Sequence, residues 1–355
     1  MFKKLLFIFI AGLFVSYTNA QVTRLEYSIP EKNGYSKEGL DSLQSFLEEK
    51  GSSSMVILQD GNIIFEWGDI NEKLLVHSIR KSLLNSLVGI KVNEGLIDTN
   101  QTIGELGLDD KYGLSELEKS ARVADVLKSR SGVYHPAAAV ADRMLRGMPE
   151  RDSMQPGEHY YYNNWDFNVL GAILEKQSDE SIYELFERHI ANPIGMNHFG
   201  SNIFTIDVDT LEDDFDDLSM YDGFYQYESS KSNYPAYHFR LSTYDLALYG
   251  QLWLQRGAWN GNQIIPESWI ESSIQPYSLY NPYADIAYGM LWSVIIPDSP
   301  EEKAAFFHTG TGVHMLGVYP ESNMVFVHRV DTENEYTFSG DDLIGVIQRV
   351  FRARN

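Results

Sequence analysis

Residues 77–95 read His77-Ser78-Ile79-Arg80-Lys81-Ser82-Leu83-Leu84-Asn85-Ser86-Leu87-Val88-Gly89-Ile90-Lys91-Val92-Asn93-Glu94-Gly95, and the rest of the chain is best read outward from them. Ser78 stands where a helix would begin, and Lys81 follows three positions later on the same face. Such neighbours have Cβ atoms about 5–6 Å apart, which brings the amine within reach of the hydroxyl. Beyond Lys81 the stretch is apolar nearly all round, through Leu83, Leu84, Leu87, Val88, Ile90 and Val92, as in a helix buried on every side. His77 and Asn85 flank Lys81 one turn away, and the first carboxylate downstream is Glu94. Desolvation without a counter-charge lowers a lysine pKa and frees its amine to act as a base. A serine at the positive end of the helix dipole also sits where a developing oxyanion is favoured. The Ser-x-x-Lys tetrapeptide is weak by itself, since a serine-rich chain contains about one by chance. Here Ser78 is the one serine with lysine at that offset, and it opens a buried helix.

On the N-terminal side of this helix, Ser36 begins a helical pattern with Leu40, Leu43, Phe46 and Leu47 on one side and Gly51 as its stop. Two β-rich runs follow, Met55–Gln59 and Asn62–Trp67, joined by the hairpin dipeptide Asp60-Gly61. The C-terminus mirrors this with strand-like runs at Ala287–Ile296, Ala304–His308, His314–Tyr319 and Met324–Val330, the last two separated by the turn Pro320–Asn323. A closing helix from about Ser339 places Leu343, Ile344, Ile347, Val350 and Phe351 on one face. Neither β-rich end can cover both faces of a sheet alone, so the economical fold pairs them. The expectation is an α/β (α+β) chain. One antiparallel sheet is built from both termini (36–74 plus 285–355) and flanked by the terminal helices, with a mostly helical insertion over 75–284. A cleft forms between the two parts, where sites are commonly found.

Composition narrows the chemistry. The 355 residues contain no cysteine, which excludes a disulfide framework, a thiolate nucleophile, zinc-ribbon and iron–sulfur sites and a lipidated cysteine anchor. With 28 Lys+Arg against 50 Asp+Glu the formal net charge is −22, a field that repels nucleic acid. The first twenty residues carry Lys3 and Lys4, an apolar run Leu5–Val15 and a small-residue site ending at Ala20. They read as a signal peptide cleaved after Ala20, too short in its apolar part to span a bilayer. The expectation is therefore a periplasmic or secreted domain over 21–355 with no stable membrane anchor after cleavage. Asp207–Asp217 holds seven acids in eleven residues but lacks the glycine and spacing of a calcium loop, and reads as a solvated acidic loop. No metal helix of the His-Glu-x-x-His type occurs, and neither a metal nor an organic cofactor is implied.

Two further features carry chemistry. Pro156-Gly157 precedes Tyr160-Tyr161-Tyr162-Asn163-Asn164-Trp165 and the helical run Val169–Leu174. A phenol held near a cation can serve as a general base, and an asparagine two residues on can orient an acyl group. His308-Thr309-Gly310-Thr311 ends a short strand, where glycine lets a substrate approach the backbone and nearby N–H groups can complete an oxyanion hole.

In order, Ser78-Ile79-Arg80-Lys81, Tyr162-Asn163-Asn164 and His308-Thr309-Gly310 resemble the Ser-x-x-Lys, Tyr-x-Asn and Lys/His-Thr-Gly signature of class C β-lactamases and penicillin-binding-protein-like serine hydrolases. Val126–Gly132, Pro193–Met196, Leu241–Ala247 and Tyr288–Trp292 resemble further landmarks of that family in the same order, so the resemblance covers nearly the whole chain after the leader. It implies the β-lactamase/transpeptidase-like fold, an acylated Ser78, base and acid roles shared by Lys81 and Tyr162, and a substrate-positioning Asn164. It also implies an oxyanion site at the N–H groups of Ser78 and Thr311, beside Gly310. Tyr161 with Asn163 fits Tyr-x-Asn as well, and only the spacing to Leu170-Gly171 favours Tyr162. His308 replaces the lysine usual in β-lactamases of this class, and histidine is mostly neutral near pH 7. The implied activity is an acyl-enzyme hydrolase of a small-molecule ester, peptide or β-lactam-like substrate, with carboxylesterase or D-amino-acid peptidase ahead of true β-lactamase. The rival reading is a non-catalytic cell-wall or glycan binding protein that uses Tyr160–Trp165 and the aromatic stretch Tyr221–Tyr237.

Overall fold

The computed structural model describes residues 24–210 and 218–354; the leader and most of the acidic stretch Asp207–Asp217 lie outside them. Asp60 and Gly61 both take positive φ (51° and 77°), the geometry a two-residue hairpin needs, and β1 Ser54–Gln59 pairs antiparallel with β2 Asn62–Gly68. The remaining strands are β3 Lys73–Leu75, β4 Ile203–Asp207, β5 Gly223–Tyr227, β6 Ala236–Ser242 and the short pair β7 Ala258–Trp259 and β8 Asn262–Gln263. After these come β9 Ser278–Asn281, β10 Ile286–Tyr288, β11 Ser293–Ile295, β12 Ala305–Gly310, β13 His314–Tyr319 and β14 Met324–Arg329.

The main sheet has the order β2-β1-β14-β13-β12-β11-β10-β9. Its central seam joins the two ends of the chain, with Val56 opposite Val327 and Leu58 opposite Val325. Both faces are covered, which explains why β1 and β14 are buried along their whole length and apolar through Met55–Leu58 and Met324–Val327. Met55, Ile57, Met324 and Phe326 enter one cluster with Leu40, Leu43 and Leu47 of the helix Lys37–Lys50 and with Leu343, Val346 and Val350 of the helix Gly340–Arg352. Val56, Leu58, Val325 and Val327 face the opposite way, against Leu246 and Trp253 of the helix Thr243–Leu254 and the larger core beyond it. At Gly250 a Cβ would come within 2.5 Å of Val325 Cγ1, so only glycine lets that helix lie so close to the sheet.

Three expectations change in detail. The run Ala287–Ile296 is not one strand but the hairpin β10–β11, because Leu291 takes φ 59° and Gly289 N–H donates to Trp292 O at 2.8 Å. On the closing helix the buried face is Leu343, Val346 and Val350, while Ile344 and Phe351 are exposed. The middle of the chain also carries a second sheet, β3-β6-β5-β4, with β4 and β5 parallel. Phe224, Tyr234 and Tyr237 of the aromatic stretch Tyr221–Tyr237 are buried in and around it. Half of the six rings in the stretch are therefore core, and Tyr225 packs against it. No helix among the described residues is long and apolar enough to cross a membrane.

Candidate active site

The site forms where the helix Arg80–Asn93 meets the end of β12. Residues Arg80–Lys91 of that helix are buried, as its apolar circumference requires. Ser78 lies on the single 3₁₀ turn His77–Ile79 that leads into it. His77 has φ 48°, an uncommon conformation for a non-glycine residue directly before the serine. It is held there from the far side: its Nε2 lies 2.7 Å from Thr332 Oγ1, and its ring stacks on His314 at 5.3 Å. Arg329 braces His314 in turn, and donates to the carbonyls of Leu74 and Leu241, which ties β14 to both β3 and β6. Burial pushes the His77 pKa down to about 4, helped by the cations Arg329, Arg80 and Lys81, so this ring is neutral near pH 7.

Lys81 is buried, and its Nζ donates to Ser78 Oγ at 2.9 Å. The same Nζ lies 4.8 Å from the ring centre of Tyr162 and 4.5 Å from that of Phe167. These rings belong to the entry and first turn of the helix Asn164–Ser178. Tyr161 lines the same cavity, but its hydroxyl is engaged away from Lys81, donating to Met144 O at 2.6 Å. Of the two asparagines, Asn163 caps the helix by accepting from Trp165 N–H, and donates to Val133 O at 2.6 Å. Asn164 is 5% exposed, donates to Ala139 O and is not part of the cavity lining.

The second wall is β12. His308 and Thr309 sit on it, and Thr311, with φ 53°, follows Gly310 in the turn to β13. At Gly310 a Cβ would fall 2.5 Å from Val76 O and 3.2 Å from His77 Cβ. Glycine is what allows the strand end to touch the turn that carries Ser78. Between the walls is a cavity of about 650 Å³. The structure thus brings Ser78, Tyr162, His308 and Thr311 to one lining, with Lys81 directly behind the serine and Gly310 at the contact of the two walls. Tyr160, Tyr161, Tyr280 and Tyr288 also line it, and no sequence motif marks Tyr280 as part of the site. Tyr160 stacks against Tyr280 at 5.9 Å and leans on Tyr288 at 5.1 Å. Tyr280 and Tyr288 lie on β9 and β10, so strand order places them here, Tyr288 at the start of the family-like stretch Tyr288–Trp292.

His308 differs most from a bound cation. It is 4% exposed, and its Nδ1 lies 2.9 Å from Thr309 O. Burial and the charge of Lys81 push its pKa down to about 3. Among the described residues no group of three or more His, Asp or Glu is arranged to hold a metal ion.

A sheet made from both chain ends, an inserted helical part and a Ser-x-x-Lys turn at their junction define the β-lactamase/transpeptidase-like class of fold. The chain belongs to the β-lactamase family, whose profile matches residues 45–344. An Escherichia coli K12 protein with the provisional name D-alanyl-D-alanine carboxypeptidase is 23% identical over 239 residues, 56% of this chain and 55% of that one. The chain thus spans about half the length of the curated relatives it matches. A Bacillus anthracis structure, provisionally a 6-aminohexanoate-dimer hydrolase, superposes with TM-score 0.66 at 18% identity, covering 94% of this chain and 87% of its own. A class C β-lactamase superposes with TM-score 0.63 at 15% identity, covering 93% and 98%.

Proposed function

We propose that this protein is an exported serine hydrolase that cleaves an ester or amide through an acyl-enzyme on Ser78. The observation that carries the reading is the 2.9 Å contact between Lys81 Nζ and Ser78 Oγ beneath a cavity that Ser78 lines. In the acylation step Ser78 Oγ attacks the scissile carbonyl while its proton passes to the Lys81 amine. The N–H groups of Ser78 and Thr311 receive the oxyanion. As the tetrahedral intermediate collapses, the bond to the leaving group breaks, and Lys81 with Tyr162 returns the proton to that group. Water then cleaves the acyl-enzyme by the same route in reverse. Asn164, expected to position the substrate, instead holds the carbonyl of Ala139 from outside the cavity lining, so any part it plays is through that loop.

Within the family, carboxylesterase or D-amino-acid peptidase action suits the site better than β-lactam hydrolysis, because His308 supplies no fixed cation for a substrate carboxylate. The carboxypeptidase name of the E. coli relative belongs to the same acyl-transfer chemistry. Export rests on the leader Lys3–Ala20 and places the enzyme in the periplasm or the medium. Incubation with a fluorophosphonate, followed by mass spectrometry of peptides, is expected to give a single adduct on Ser78. Folded protein that takes no adduct there, or takes it elsewhere, overturns the reading. Detection of Met1–Ala20 on the mature protein would overturn the export part alone.

A further inference from the structure

The neutrality of the cavity goes further than a missing lysine. No Asp, Glu, Lys or Arg side chain is part of its lining among the described residues. The five tyrosines Tyr160, Tyr161, Tyr162, Tyr280 and Tyr288 make up much of the wall. Burial pushes Tyr160 and Tyr288 further above the ordinary phenol range, so both stay protonated.

Within this wall the proton on His308 can be placed by elimination. A carbonyl oxygen only accepts, so the 2.9 Å contact to Thr309 O requires the proton on Nδ1. The neutral ring then presents a bare lone pair at Nε2. That atom is buried and has no hydrogen-bond partner among the described residues, on a side chain that lines the cavity. Leaving a buried acceptor without a donor is destabilising, and a bound N–H or O–H removes that cost. A carboxylate oxygen in the same place would set lone pair against lone pair. Protonating the ring to welcome it is opposed by burial and by Lys81 behind it.

Resting on the assignment of Ser78 as the acylated residue, we infer that the site takes uncharged esters or amides that offer an N–H or O–H donor to His308 Nε2, and turns away substrates with a carboxylate beside the scissile bond. Tyr160, Tyr280 and Tyr288 supply an aromatic wall for the neutral remainder of such a molecule. Sugar esters and capped peptides share this chemistry. In both, a neutral hydroxyl or amide lies next to the bond that breaks.

The test uses two depsipeptide esters that differ only at the C-terminus, one a free carboxylate and one a carboxamide, together with an acetylated neutral sugar. Each is assayed for turnover and for protection of Ser78 against fluorophosphonate labelling, on the full chain and on two variants. The carboxamide is expected to be turned over, or to protect, at least about 10-fold better than the carboxylate. His308→Lys is expected to reverse that order, and the uncharged His308→Gln to keep it. Sugar ester turned over better than the carboxamide identifies the carbohydrate source, and the opposite order the peptide source. Equal treatment of the matched pair, failure of both to protect at millimolar concentration, or an unchanged order in folded His308→Lys overturns the inference while Ser78 labelling still stands. Loss of Ser78 labelling in folded wild-type protein is instead a failure of the hydrolase assignment.

Discussion

The two walls of the cavity differ in what they contain and in how the chain makes them. The helix-side wall is built from near neighbours in sequence, Ser78 and Lys81, with Tyr162 brought in by one helix contact. It contains the charge, since Arg80 and Lys81 are both buried there. The strand-side wall comes from β9, β10 and β12 and is neutral throughout. Its histidines are held uncharged by burial, His308 at the cavity and His314 and His328 on the neighbouring strands. On the proposed mechanism, proton transfer belongs to the helix side and selection to the strand side. Substitutions on the first should lower kcat, and those on the second should move KM or the choice of substrate.

The largest effect is expected from Ser78→Ala, which should lower kcat/KM for any ester substrate by at least about 10⁴-fold. It should leave the melting temperature within a few degrees, because Ser78 is only half-buried. Residual turnover near the wild-type rate would move the chemistry off the helix side altogether. The paired change Tyr162→Phe and Tyr161→Phe comes next. The first should cost about 10²–10⁴-fold in kcat, as loss of an acid–base group does, and the second only several-fold. The opposite order would hand the proton-transfer role to Tyr161, whose hydroxyl is bonded to Met144 O.

Gly310→Ala tests the contact between the walls. Its Cβ would meet Val76 O at 2.5 Å, so strand and turn must separate. A loss of about 10-fold or more in kcat/KM is expected, and wild-type activity would show that the contact does not set the geometry. The smallest effect is electrostatic. His328 is buried with its pKa held down to about 4, whereas in the unfolded chain it titrates near 6.5. Between these values the unfolded state binds the proton and the folded state does not, so His328 contributes stability that is lost as pH falls from about 6.5 to about 4. His77 adds the same slope, while Asp166 and Glu175, whose carboxyls burial pushes up, add the opposite one. The measurement is therefore a difference. Urea unfolding at pH 4.5, 5.5 and 6.5 should show His328→Gln with a slope shallower by up to one proton, about 1.4 kcal/mol per pH unit. Parallel slopes would mean that His328 is charged in the folded protein.

The same contrast explains what the sequence disclosed. The Ser78–Lys81 pair was legible because three residues of helix fix the distance, and the split sheet because β1 and β14 are both apolar on two faces. In the sequence only spacing favours Tyr162 over Tyr161, since both rings reach the cavity and what separates them, the Lys81 amine against one and Met144 O against the other, is set by distant residues. The second sheet was missed because Glu228–Pro235 interrupts β5 and β6 with loop-like residues, and its aromatics read equally well as a surface. Tyr280 and Tyr288 required the order of strands, and the His77–Thr332–His314 support required a positive φ at His77 that no residue pattern announces. Asn164 matched a motif, yet its bond to Ala139 O depends on the path of a loop.

The seam between β1 and β14 has a consequence in time. As the chain is made, the serine and lysine emerge early, the tyrosine midway, and β12 with its histidine near the end. Until β14 exists, β1 has a partner on one flank only, and its other edge is an unpaired apolar ribbon that invites association with other chains. Pairing across so long a separation in sequence is slow to form. A nascent or clipped molecule lacks the second wall, and the cavity beside Ser78 is complete only with the final strands.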